Sequence, residues 1–169
     1  MPAKVNLYAF SKICLICGIF FALLTSCKEE PKKAITTEPI TFSKEGELEI
    51  YKGETDSLLT RLEIEIAESD YEIQTGLMYR EEMDANEAML FVFPDMEFHS
   101  FYMKNTLIPL DIIFIDDQLR VVNFKQNATP LDEAGIPSGL PVQYVLEVNA
   151  GLSTSWNLEI GDRIVYTKQ

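Results

Sequence analysis

The chain has 169 residues, room for one domain and a leader. Its 47% hydrophobic and 24% charged residues are those of a folding chain, not a disordered one. A net charge of −13 excludes the basic stripe that neutralises a phosphate backbone, so nucleic acid is not an expected partner.

Lys4 and Lys12 give a thinly basic start, and Ile13 to Leu24 is almost wholly apolar. That run has the length of a secretory h-region and is short for a bilayer span of about 20 residues. Leu24-Thr25-Ser26-Cys27 follows and resembles the bacterial lipobox, in which the cysteine is acylated before cleavage. The expected organisation is a signal peptide over 1–26, a lipid-anchored linker over 27–46 and a β domain over 47–169. Cys14 and Cys17 spell C-x-x-C but leave with the leader. Cys27 then remains as the only cysteine, capped by lipid, which excludes thiol catalysis and cysteine–zinc sites. Lys28-Glu29-Glu30 resembles the lysine-plus-acids signal that sends lipoproteins to the outer face of a Gram-negative outer membrane. A merely solvated tether reads the same way. From Pro31 to about Gly46 the mixture of Lys, Thr, Glu and Pro has no period and reads as a flexible linker.

Within the domain, Leu48 to Tyr51 suggests a short strand. Leu62, Ile64 and Ile66 alternate with charged residues, which predicts a half-buried strand. Ser69-Asp70-Tyr71-Glu72 fits a capping box, so a short helix is expected from about Asp70, ending near Gly76. Met89 to Phe93 reads as a strand buried on both faces. Phe98 to Met103 and Leu110 to Ile115 are expected as two strands of one hairpin, and Leu119 to Lys125 as another strand. Gln126 to Val142, with three prolines and two glycines, predicts a long surface loop. Tyr144 to Val148 and Arg163 to Thr167 complete the strands, with a helical turn or two at Leu152 to Leu158. The implied fold class is mostly β: a compact antiparallel β-sandwich or barrel-like domain with one or two short helices. The helices look too few and too short to cross between parallel strands.

Several segments together resemble one family. They are Gly76-Leu77-Met78-Tyr79-Arg80, Met89-Leu90-Phe91-Val92-Phe93, Phe101-Tyr102-Met103-Lys104-Asn105-Thr106, Pro109 to Ile115, Val145 to Gly151, and Gly161-Asp162. In this order they resemble domain of unknown function 192 (DUF192), an uncharacterised bacterial and archaeal family, over about Leu59 to Thr167. Tyr102 stands where another aromatic, often tryptophan, is usual, and Ala88 where glycine is common. The resemblance implies a small β-rich sandwich-type fold and no particular activity.

Lys104, Asn105, Thr106 and Asp111 are expected near one sheet end, where they could orient a sugar hydroxyl or a carboxylate. Equally, Asn105 and Thr106 could bond turn backbone while Asp111 pairs with Lys104 or Arg80. Alternation places Glu147 on one face with Val145 and Asn149, and a carboxylate there needs a cation or donors. Arg80 and Lys104 are the expected partners. His99, the only histidine, reads as an ordinary strand residue. No H-E-x-x-H, G-x-S-x-G, Walker or calcium-loop pattern occurs, and the methionines read as core filler, so no metal and no cofactor are expected.

Three functional readings stand. The first is a non-catalytic binding or accessory module of the cell envelope for a small polar ligand or envelope protein. The second is an enzyme acting on envelope glycans through Asp111 and Glu147, which requires both carboxyls in one cleft. The third is a structural, protein-interaction lipoprotein.

Overall fold

Residues 40–169 are described in the computed structural model. The leader, Cys27 and most of the expected linker lie outside them. Strand β1 (Gly46–Tyr51) pairs antiparallel with β2 (Leu58–Ala67), setting Leu48 opposite Leu62 and Gly46 opposite Ile64. Ser69 then caps helix α1 (Asp70–Thr75) with the expected box. Its hydroxyl accepts from the Glu72 amide and the Glu72 carboxylate accepts from the Ser69 amide. Gly76 ends the helix at φ 45°, ψ −130°, a conformation open essentially to glycine.

Strand β3 (Glu87–Glu97) pairs with β2 in parallel, Ile66 opposite Leu90. This corrects the expectation that no parallel crossover forms. What a crossover needs is a connection of about a dozen residues or more. The segment between Ala67 and Glu87 supplies that length even though α1 fills only part of it.

Strands β4 (Ser100–Phe101) and β7 (Ile136–Pro137) form a separate two-stranded ladder. The expected hairpin between Phe98–Met103 and Leu110–Ile115 is absent. Strand β5 (Leu110–Ile115) instead lies between β6 (Val121–Ala128) and β8 (Val142–Asn149). The physical reason is Phe101, which packs its ring edge-to-face against Phe91 and Phe114 and so lies over the sheet instead of extending it.

Helix α2 (Leu152–Ser155) and strand β9 (Arg163–Lys168) complete the chain. The main sheet has seven strands in the order β6-β5-β8-β3-β2-β1-β9. Its two edges meet at one corner through a bridge between Arg120 and Arg163, without closing into a barrel. The domain is mostly β and sandwich-like, as expected.

Strands β3, β5 and β8 are covered on both faces. Leu90, Ile113, Ile115, Leu146 and Val148 join one core with β1, β2 and β9. Phe91, Phe93, Ile112, Phe114 and Val145 join a second core beneath Leu77, Met83, Met103 and Ile108. Each such buried side chain contributes about 1.5–3 kcal/mol. The second core positions the site.

Candidate functional site

The period of two in β8 sends Leu146 and Val148 into the first core and Val145 into the second. Glu147 must therefore enter the second, apolar layer. It is only 5% exposed, and none of the side-chain hydrogen bonds among the described residues reaches its carboxyl. Burial pushes that carboxyl up to about 8.

The carboxyl borders a cavity of about 210 Å³. Phe91 and Phe93 of β3 form one wall. The end of α1 and its turn, from Ile73 to Met78, form another, and His99 to Tyr102 with Thr106 close the third. Gly76 passes so close that an added Cβ would lie 2.9 Å from the Phe91 ring and 4.0 Å from Glu147 Oε2. Among the described residues no lysine or arginine lines the space. His99 stacks on Phe93 with ring centroids 3.6 Å apart, and its Nε2 is buried without a hydrogen-bond partner. Burial holds the imidazole below its ordinary value, against the opposing pull of Glu97 and the Val142 backbone. The lining thus joins aromatic surface to two hydrogen-bonding groups that are unmatched among the described residues. A second hollow, about 350 Å³ beneath residues 129–137, has no comparable group: Asp132 there accepts from the Ala134 amide.

The sequence matches the model of the uncharacterized ACR family DUF192 over residues 51–166. The chain belongs to that family. A solved structure of a "putative transcription regulator" from Sinorhizobium meliloti 1021 is 33% identical, with a TM-score of 0.70, covering 76% of this chain and 98% of that one. A protein of unknown function from Novosphingobium aromaticivorans DSM 12444 is 34% identical, with a TM-score of 0.66, covering 70% of this chain and 83% of that one. No curated protein matches.

Within this DUF192 domain the residues singled out from sequence are dispersed. Arg80 does not meet Glu147. Its guanidinium pairs with Glu65 on β2, and the two residues are 6% and 7% exposed. The Ser43 amide donates to the same Glu65 carboxylate, yet burial still raises that group above the ordinary range. Lys104 is exposed and enters none of the salt bridges among the described residues. Asn105 takes φ 58° in the turn, its carbonyl accepting from the Tyr79 amide and its side-chain amide 3.9 Å from Met78 Sδ.

Asp111 is 0% exposed and accepts from the amides of Asn127, Gly151 and Ser153 and from the Ser153 hydroxyl. It braces the entry to α2. Thr106 and Glu147 do reach the cavity. His99, Phe101 and Gly76 belong to it as well, and only the misfit of a carboxylate in an apolar strand pointed to it in the sequence. Among the described residues no group of three or more His, Cys, Asp and Glu could hold a metal, and no helix is long and apolar enough to cross a membrane.

Proposed function

We propose that this chain is a bacterial envelope lipoprotein, anchored through Cys27, whose DUF192 domain binds a small molecule non-catalytically in the Glu147 cavity. One observation carries the binding assignment: a nearly buried carboxyl, without a donor, on the wall of an aromatic-lined space. Leaving such a group unmatched costs about 1–3 kcal/mol, and perturbed buried groups concentrate at functional sites. The glycan-hydrolase reading loses its support because Asp111 and Glu147 do not share a cleft, as paired-carboxylate chemistry requires. The description of the Sinorhizobium protein as a regulator does not transfer readily, since a chain of net charge −13 repels a phosphate backbone.

A thermal-shift screen of the full chain against amines, alcohols, sugars and carboxylates tests the binding assignment. A ligand at about 100 times its dissociation constant adds roughly 2.7 kcal/mol. The expected result is at least one hit whose shift shrinks in Glu147→Gln; silence across the panel, or a panel in which every hit is indifferent to that substitution, would remove the cavity from the proposal. The anchor is tested separately. Radiolabelled palmitate should enter the wild-type chain in a Gram-negative host and fail to enter Cys27→Ser. The Lys28-Glu29-Glu30 tether supports an outer-membrane address, possession of which protease shaving of intact cells would reveal.

A further inference from the structure

Resting on the reading of this cavity as a binding site, we infer that its ligand is a compact organic cation, an alkyl- or arylalkylammonium. Its ammonium would pair with Glu147 while its apolar body lies against Phe91, Phe93 and Phe101. Among the cavity's lining residues there is no lysine or arginine, so nothing there compensates an anion, and the net charge of −13 opposes one at longer range. Phosphate and carboxylate ligands are excluded on that ground, including the carboxylate that the sequence left open.

Hydrogen bonding narrows the class further. Among the described residues the Glu147 carboxyl receives no hydrogen bond, and His99 Nε2 is likewise unmatched. Burial holds the His99 imidazole below its ordinary value, so the ring brings no positive charge to the cavity at neutral pH. Although Gln74, Ser100, Tyr102 and Thr106 also line the space, none of them bonds the Glu147 carboxyl, and an ammonium brings up to three donors together with the charge that a buried carboxylate needs. Phe91, Phe93, Phe101 and Tyr102 supply ring surface, which attracts a cation through its quadrupole. At about 210 Å³ the space is smaller than the roughly 300–1,000 Å³ of ordinary ligand pockets, so the occupant is small.

Binding should also move a proton. The titratable groups lining the cavity are Glu147 from β8, with His99 and Tyr102 from the segment around β4. The turn after α1 and β3 contribute none. Without ligand at neutral pH, Glu147 is mostly protonated; an arriving ammonium makes it an anion and expels nearly one proton to solvent. Affinity for a cation should therefore rise between pH 6 and 8.

Three isosteric probes separate the possibilities: benzylammonium, benzyl alcohol and benzoate, titrated calorimetrically into the full chain. Benzylammonium is expected to bind at least about tenfold more tightly than benzyl alcohol, and benzoate not at all. Its binding heat should change with buffer ionisation enthalpy as one released proton requires. Glu147→Gln should erase the cation's advantage and keep benzyl alcohol binding. If benzyl alcohol binds as tightly as the cation, the cation class is overturned and the cavity stands as a site for neutral molecules. If all three probes fail while another class gives a Glu147-dependent thermal shift, the cation class again falls alone. Failure of both experiments removes the class and the site together.

Discussion

Asp111 and Glu147 stand on neighbouring strands with their carboxyls on opposite faces of one sheet. Strand β5 sets Asp111 beside Val148 of the first core and Ile112 beside Glu147 of the second. The two acids consequently have opposite circumstances. Asp111 accepts four hydrogen bonds, three from backbone amides, and holds the chain's entry to α2. Asp111→Ala should cost about 3 kcal/mol in urea unfolding, because those donors lose their acceptor in a buried place. Ligand binding at the Glu147 cavity should persist in the surviving folded fraction; loss of binding at unchanged stability would contradict a bracing role.

Glu147 makes stability fall with rising pH. Its folded value of about 8 exceeds the unfolded 4.5, so between those limits the native state holds more protons than the unfolded one. The relative stability present below pH 4.5 is therefore lost as pH rises towards 8, on the order of 3 kcal/mol of it by pH 7. Carboxylates with depressed values, such as Glu49 and Glu72, work in the other direction at low pH. The informative quantity is thus the difference between wild type and Glu147→Gln. The variant should be the more stable above neutrality, and the gap should narrow towards pH 5. A gap independent of pH would show that the carboxyl does not titrate in this window.

Local pattern was sufficient for much of this fold. Alternation marked β2 and the parity of Glu147, Ser69 and Glu72 marked the start of α1, Gly76 marked its end, and Leu110–Ile115 was readable to the residue. Pairing was less legible, because a period of two does not say which neighbour a strand will meet. Phe98–Met103 reads as a sheet strand by composition, yet only Ser100–Phe101 pairs, with a segment more than thirty residues later. The cavity was half legible. Glu147 was conspicuous as a carboxylate among valines and leucine, whereas His99 gained its role only by stacking on Phe93. Arg80 was expected beside Asp111 or Glu147, and it pairs instead with Glu65 on β2.

The Arg80–Glu65 pair should behave as a buried ion pair with little net surplus. Removing one member leaves the other charge uncompensated, so Arg80→Met should cost about 3–5 kcal/mol. The double variant Arg80→Met with Glu65→Leu should recover most of that loss, since apolar replacements of similar volume suit the second core. Urea unfolding of both singles and the double gives the coupling directly. Additive losses would mean that the two side chains do not stabilise one another.

Gly76 links the fold to the cavity. At φ 45°, ψ −130° an L side chain is strained, at a cost of about 1–3 kcal/mol. An added methyl would also press on the Phe91 ring at 2.9 Å and stand 4.0 Å from Glu147 Oε2. Gly76→Ala should therefore lower stability and weaken any ligand that reaches Glu147, two effects that titration and unfolding measure independently. Relief is available only if the turn moves away from β3, which would widen the space beside the carboxyl and expose it. In that case Glu147 should titrate closer to 4.5 in the variant, and the fall in stability between pH 5 and 8 should flatten. Wild-type stability with an unchanged pH profile would show that the turn tolerates a side chain and does not hold the carboxyl in its dry surroundings.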